Sequence, residues 1–136
     1  MAENYKYNHE IICKMKPKAI KIIYWVFTAL LVLGMLFSGF SEVMQFPQAV
    51  EAMKHLGYPA YVNTIIGVAK IIGTIVILQN KFRTIKEWAY AGFTIDFIGA
   101  AASLYFAGDG ILMALSVIPF FIVLFASYYF WKKLPN

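Results

Sequence analysis

The stretch YVNTIIGVAKIIGTIVILQ, residues 61–79, decides the fold class, because it is long and apolar enough to cross a lipid bilayer. A transmembrane helix needs roughly 20 predominantly apolar residues. The many Ile and Val residues would favour a strand in water. In lipid a helix is favoured instead, because it pairs every backbone hydrogen-bonding group within the segment. The stretch therefore predicts a membrane-spanning helix that carries a lysine, Lys70, near its middle.

Three further apolar runs occupy residues 19–40, 85–107 and 111–131. The whole chain is 61% hydrophobic and 14% charged, whereas a soluble domain is about 45–50% apolar and about 25% charged. We therefore predict an all-α integral membrane protein, a four-helix bundle within a domain of residues 19–136, after a basic segment at residues 1–18. The run at 19–40 is longer than the apolar part of a signal peptide, and we interpret it as a retained helix.

The lysine and arginine residues predict how the helices are oriented. Of the 12 such residues, ten fall on one side of a four-span arrangement, while Lys54 falls on the other and Lys70 lies inside a span. Cytoplasmic loops of membrane proteins carry the excess of positive charge. We therefore predict both termini in the cytoplasm and a bacterial-type cytoplasmic (inner or plasma) membrane. The lipid bilayer is the expected partner, and the scattered charges argue against a nucleic-acid partner.

The connection between the first two spans, residues 41–60, has the pattern of a short amphipathic helix. Apolar residues recur there at helical spacing, at Phe46, Val50, Met53 and Leu56. Pro47 suits a first helical turn, and Gly57 suits a helix end. We predict a helix that lies on the outer membrane surface. It is either a structured cover over the bundle or a lid over a binding site.

Two charged residues, Lys70 and Asp96, lie in the middle of their spans. Each is 13 residues from Arg83 along the sequence, so the two side chains are expected at the same membrane depth. A charge at the centre of a helix costs roughly 2.5–3.5 kcal/mol on insertion scales. We predict that they form an ion pair. The pair either fixes the register of the helices or forms a ligand-binding or proton-linked site.

Five further polar residues are candidate accessory ligands of this site: Glu42, Asn63, Thr74, Glu87 and Ser103. Asn63 and Thr74 share the helix face of Lys70, and Ser103 shares that of Asp96. For Glu42 the alternative is a solvated carboxylate at the membrane surface. For Glu87 the alternative is a capping box, because TIKE at residues 84–87 has the form that opens a helix.

Small residues on these faces predict close helix packing. They are Gly34 in the first span, Gly67 in the second, and Gly92 and Gly99 in the third. Pro119 lies within the fourth run and is expected to kink it.

The residue types exclude several other kinds of site. Cys13 is the only cysteine, so no disulfide can form within the chain. Two histidines, His9 and His55, are too few and too far apart to indicate a metal site. We predict no metal and no catalytic residue.

Three motifs, in this order, resemble the DoxX-like family of small four-helix membrane proteins. They are GYPxY at residues 57–61, GxAKxxG at 67–73 and KEWAYAGF at 86–93, and the resemblance extends over about residues 20–131. The wider family includes a subunit of a thiosulfate:quinone oxidoreductase, proteins that assist maturation of redox partners, and proteins of oxidative-stress defence. The resemblance implies a membrane redox or assembly role, in which a bound quinone or a partner protein would be the electron carrier.

Three functions are consistent with these features. In the first, the chain binds a lipophilic small molecule such as a quinone, or a membrane redox partner, with Lys70 donating to a carbonyl and Asp96 exchanging a proton. In the second, it is a small proton-coupled transporter that forms a homodimer. In the third, it is a structural or assembly protein without a ligand. We expect no intrinsic catalysis, and an accessory subunit of a membrane oxidoreductase is consistent with the first function.

Overall fold

The computed structural model describes residues 2–4, 6 and 17–134. Cys13, His9 and most of the predicted basic segment lie outside these residues. Across the described residues 17–134 the chain is helical, with no strand. The helices are α1 (Pro17–Val43), α2 (Pro47–His55), α3 (Ala60–Leu78), α4 (Arg83–Leu104), α5 (Gly110–Leu115) and α6 (Ile118–Lys133).

Three helical stretches are long and apolar enough to cross a membrane: Pro17–Val43, Ala60–Leu78 and Arg83–Leu115. They correspond to the first three predicted spans, so the prediction of a helical, multi-pass membrane protein is confirmed. The third stretch includes a π-helical segment, Tyr105–Asp109, and a bend at Gly108, whose φ is 90°. Residues other than glycine rarely adopt that backbone conformation.

The predicted fourth span, 111–131, forms two helices with a break at Ser116 and Val117, beside Pro119, where the sequence predicts a kink. The chain forms α5, turns at Ser116 and Val117, and then forms α6, which has 16 residues. Pro119 explains the position of the break, because a proline ring clashes with the carbonyl four residues earlier. That carbonyl belongs to Leu115, the last residue of α5. In α6 Pro119 lies in the first turn, where its missing N–H costs nothing.

The predicted short helix between the first two spans is confirmed as α2. Pro47 is its first residue, and Gly57 follows its end with a φ of 83°, which reverses the chain towards α3. No residue of α2 is fully buried. This helix marks one end of the molecule, called the α2 end below. The opposite end carries Lys21, Arg83 and Lys132 and is called the basic end.

Helix α1 packs on both α3 and α6, and α4 also contacts both of those helices. The closest approach joins α1 to α3, where a Cβ atom added to Gly67 would lie 2.7 Å from the carbonyl oxygen of Gly39. The prediction of close packing is confirmed at Gly67. It is wrong at Gly34, Gly92 and Gly99, where nothing lies within 4 Å of an added Cβ. The α4 glycines therefore leave open space beside Asp96.

The tightest packing lies towards the basic end. Tyr24 of α1, Ile77 of α3, Tyr90 of α4, and Leu124 and Trp131 of α6 are all almost completely buried there. The outward faces of the helices are apolar and exposed, as at Phe37, Ile65, Ile95 and Phe125. Apolar outward faces are what lipid contact requires. The molecule is thus well packed at the basic end and more open at the α2 end.

Candidate functional site

Lys70, Glu42 and Asp96 form one cluster around the ammonium group of Lys70. The Nζ atom lies 2.6 Å from Oε1 of Glu42 and donates a hydrogen bond to it. It also donates to the hydroxyl of Ser38, at 3.1 Å. Oδ2 of Asp96 lies 3.6 Å away, within ion-pair distance but beyond a hydrogen bond of good geometry. The structure thus brings Lys70 and Asp96 together, with Glu42 as the closer carboxylate.

Glu42 lies in the cluster beside Lys70, and is not the solvated carboxylate at the membrane surface that was the alternative interpretation. Its side chain is only 16% exposed, and that of Lys70 only 12%. The close approach of α1 to α3 explains this burial, because it carries Ser38 and Glu42 over Lys70. With both acids ionised, two carboxylates and one ammonium leave a net charge of −1. A ligand that donates a hydrogen bond, or a proton, would offset that charge.

Three cavities meet at the cluster, and Lys70 and Asp96 line all of them. One of 600 Å³ lies between α3 and α4, and one of 560 Å³ lies between α1, α4 and α6. The third, of 390 Å³, lies beneath α2. The glycines that leave space around Asp96 line these cavities, Gly92 the first and Gly99 the third. Ligand pockets of proteins commonly have volumes of about 300–1,000 Å³.

Two residues that line the cavity beneath α2 each have a buried polar atom without a hydrogen-bond partner among the described residues. The two atoms are Oε2 of Glu42 and Nδ2 of Asn63. Both residues line the cavity, and Asn63 is only 1% exposed. A buried polar atom left without a partner costs about 1–3 kcal/mol. An occupant of the cavity that reached these atoms would find one acceptor and one donor.

Helix α2 forms the roof of this cavity through Ala49, Ala52, Met53 and Leu56. Two polar contacts hold the roof against α4 and the segment that follows it. The hydroxyl groups of Tyr58 and Ser103 are hydrogen-bonded at 2.8 Å. His55 Nε2 lies 2.7 Å from Oδ1 of Asp109. These contacts place Ser103 at the edge of the cavity, and they show that α2 covers it.

Of the predicted accessory residues, Thr74 and Glu87 neither line the cavity beneath α2 nor contact the charged cluster through their side chains. The hydroxyl of Thr74 donates to the carbonyl oxygen of Lys70, at 2.7 Å, within the same helix. Glu87 forms an ion pair with Lys132 of α6, near the basic end.

The capping box proposed for residues 84–87 is wrong, because α4 begins at Arg83 and no side chain caps it. Gln79 instead closes the preceding turn. Its Nε2 donates to the carbonyl oxygen of Phe82 at 2.9 Å, and Phe82 N donates to its Oε1 at 2.7 Å.

A second polar network, which the sequence analysis missed, is buried towards the basic end. Lys86 is completely buried, and its Nζ donates to the hydroxyl of Tyr24 at 2.6 Å and to Oδ1 of Asn80 at 2.7 Å. The hydroxyl of Ser127 is hydrogen-bonded to Thr28 at 2.7 Å. The burial of Lys86 could have been predicted from helical spacing, because it shares one face of α4 with the other buried residues, Tyr90, Phe93 and Phe97.

Comparison with known proteins gives one family match. The sequence model of the DoxX-like family matches residues 26–126. This range contains all the residues of the Lys70 cluster and all of α2 to α5. No curated protein and no solved structure matches the chain.

The two buried lysines are expected to differ in what their removal costs. In Lys70→Met two partly buried carboxylates lose their cation, and breaking a buried pair from one side costs up to about 3–5 kcal/mol. In Lys86→Met only a phenol and an amide lose a donor, at about 1–3 kcal/mol. We expect the lower thermal unfolding temperature in detergent for Lys70→Met. Equal decreases in unfolding temperature for Lys70→Met and Lys86→Met would mean that the Lys70 charges are already solvated. Lys54→Met, in exposed α2, serves as the control.

Proposed function

The chain belongs to the DoxX-like family, and from this premise we propose that it binds a lipophilic small molecule, such as a quinone, in the cavity beneath α2. The bound molecule would serve a membrane redox complex, either directly or through a partner protein. The contribution of this chain is to bind and orient the ligand and to exchange a proton through Asp96. It would act as an accessory component, with no catalysis of its own.

The observation that carries this proposal is the pair of unpartnered atoms in the cavity beneath α2. Oε2 of Glu42 needs a donor, and Nδ2 of Asn63 needs an acceptor. A hydroxyl group meets both needs, because it donates one hydrogen bond and accepts others. A quinone carbonyl meets only the second need. The reduced, hydroquinone form is therefore the better match to the cavity.

The surroundings of the cluster suit the apolar part of such a ligand. The cavity between α3 and α4 shares Lys70 and Asp96 with the cavity beneath α2. Its other lining residues include Ile65, Ile72 and Trp88, all of them apolar and exposed on the outward face. A head group beneath α2 could therefore continue into a tail that leaves between two helices towards lipid. Apolar walls with a few polar groups are typical of small-molecule sites.

Proton-coupled transport is the second candidate function. A carrier must expose its site to both sides of the membrane in turn. The cavity beneath α2 shares no lining residue with the cavity at the basic end, which contains Asn80 and Lys81. This separation favours a binding site over a transport path.

We further propose that the helices form a four-span bundle with both termini in the cytoplasm. The helical chain from α5 to α6 would make the fourth crossing. The hydroxyl of Ser127 in α6 is hydrogen-bonded to Thr28 of α1 at 2.7 Å and to Tyr90 of α4 at 2.8 Å. These bonds support a position for α6 alongside the other spans. The basic end would then face the cytoplasm of a bacterial-type cell.

Ligand binding is tested by native mass spectrometry in mild detergent with a short-chain benzoquinone and its hydroquinone. We expect the hydroquinone to bind more tightly. Asn63→Leu should weaken its binding roughly tenfold, because one buried hydrogen bond contributes about 1.4 kcal/mol. Asp96→Asn should keep the fold, since Lys70 retains Glu42, and should also bind less. Glu51→Gln, on the exposed side of α2, is the control.

Three results would decide against this role. Wild-type affinity in both site variants would remove the cavity beneath α2 as the site. Equal loss in Glu51→Gln would mean that the loss is not specific to the cavity. If the wild-type chain shows only the mass of the unliganded protein at all quinone and hydroquinone concentrations, an assembly role without a ligand is favoured.

Orientation is tested with single cysteines introduced into a Cys13→Ser background. A maleimide that cannot cross the membrane is added to intact spheroplasts. We expect labelling of Glu51→Cys in α2, but labelling of Lys81→Cys and Lys133→Cys only after permeabilisation. Labelling of Lys133→Cys in intact spheroplasts would mean an odd number of crossings and would refute the four-span arrangement.

A further inference from the structure

A further cavity, of 510 Å³, lies at the basic end, remote from the three cavities that meet at the Lys70 cluster. It is formed where the start of α1, the connection between α3 and α4, and the end of α6 meet. Its polar and aromatic lining residues are Lys18, Lys21, Asn80, Lys81, Arg83 and Trp131. The ligand proposed for the cavity beneath α2 makes no use of this one.

The charge of this basic-end cavity is strongly one-sided. Its described lining contains Lys18, Lys21, Lys81 and Arg83 but no carboxylate. Within the described part of the chain, none of these four cations takes part in an ion pair. Like charges gathered in one concave site repel each other and raise the local concentration of anions. An anion is therefore the ligand that the electrostatics of this cavity favour.

The polar groups of the cavity are held in place by the buried network behind it. The guanidinium of Arg83 lies over the ring of Trp131, 4.9 Å from its centroid, and that ring is itself almost fully buried. Asn80 accepts a hydrogen bond from buried Lys86 through Oδ1, which leaves its amide nitrogen available as a donor. A planar guanidinium with fixed orientation matches a phosphate group through paired hydrogen bonds.

The position of the cavity points to a lipid as the source of the phosphate. It lies at the ends of spans, the depth at which lipid head groups are found. Exposed apolar residues stand on the neighbouring turns, at Ile22 and Trp25 of α1 and at Ile85 of α4. They could contact acyl chains while the basic residues contact the head group. Basic pockets between transmembrane helices on the cytoplasmic side bind anionic head groups in this way.

We propose that the basic-end cavity binds the phosphate head group of an anionic phospholipid of the cytoplasmic leaflet. Arg83 and Lys21 supply the main charge contacts, Asn80 donates a hydrogen bond, and Trp131 supports the guanidinium. This site is independent of the quinone proposal, since the two cavities share no lining residue. An occupant here would also join α1, α4 and α6 at the end where the helices are best packed.

The test measures phospholipid binding to the detergent-purified full chain by native mass spectrometry, with phosphatidylglycerol and phosphatidylcholine as probes. We expect discrete complexes with phosphatidylglycerol and at least tenfold weaker binding of phosphatidylcholine. The double variant Lys21→Gln/Arg83→Gln should lose roughly tenfold or more in phosphatidylglycerol affinity. The double variant Lys54→Gln/Lys133→Gln, which loses the same charge outside the cavity, should bind as the wild type does.

Other outcomes overturn the proposal. Equal loss in both double variants would reduce it to a general surface-charge effect. Binding of inorganic phosphate at the same affinity as phosphatidylglycerol would identify a free anion as the ligand. If Lys21→Gln/Arg83→Gln fails to fold by circular dichroism, Lys18→Gln/Lys81→Gln replaces it. Wild-type phosphatidylglycerol affinity in a folded cavity variant would refute the lipid site.

Discussion

The contact between Lys70 and Glu42 is the interaction on which the α2 end of this structure depends. A lysine in the middle of an apolar helix is costly unless a carboxylate or other acceptors stand beside it. Glu42 can do so because Gly39 and Gly67 let the backbones of α1 and α3 come close together. The same approach fixes where α1 ends, and hence where α2 begins to cross above the cluster. The cluster around Lys70 thus depends on how the chain packs α1 against α3.

The buried polar groups are paired differently at the two ends of the molecule. At the basic end, Lys86, Tyr24, Ser127 and Tyr90 satisfy one another among aromatic rings, and the packing is tight. At the α2 end, Glu42 and Asn63 each keep a buried atom without a partner among the described residues, beside open space. Cores that serve stability alone rarely leave such atoms unmatched. The contrast supports the binding role proposed for the α2 end, whereas the buried network at the basic end stabilises the helix packing beside the basic-end cavity.

Much of the fold follows from the sequence, because length and hydropathy are sufficient to identify membrane helices. Three of the spans, the short helix α2 and the proximity of Lys70 to Asp96 could be predicted from hydropathy, periodicity and spacing. The importance of Glu42 could not, because it depends on where α1 and α3 cross, and Gly39 is one glycine among nine. The burial of Lys86 was missed because a lysine beside a loop usually lies in solvent, and only its spacing from Tyr90 indicated an inward face.

The most direct test of this account is a double-mutant cycle between Glu42 and Lys70. Unfolding free energies would be measured in detergent for the wild type, Glu42→Gln, Lys70→Met and the double variant. The account predicts that the two changes are coupled by about 0.5–3 kcal/mol, so that the double variant is more stable than the sum of the single losses indicates. Additive losses would show that the two side chains do not interact, and would contradict the cluster on which the proposed binding site rests.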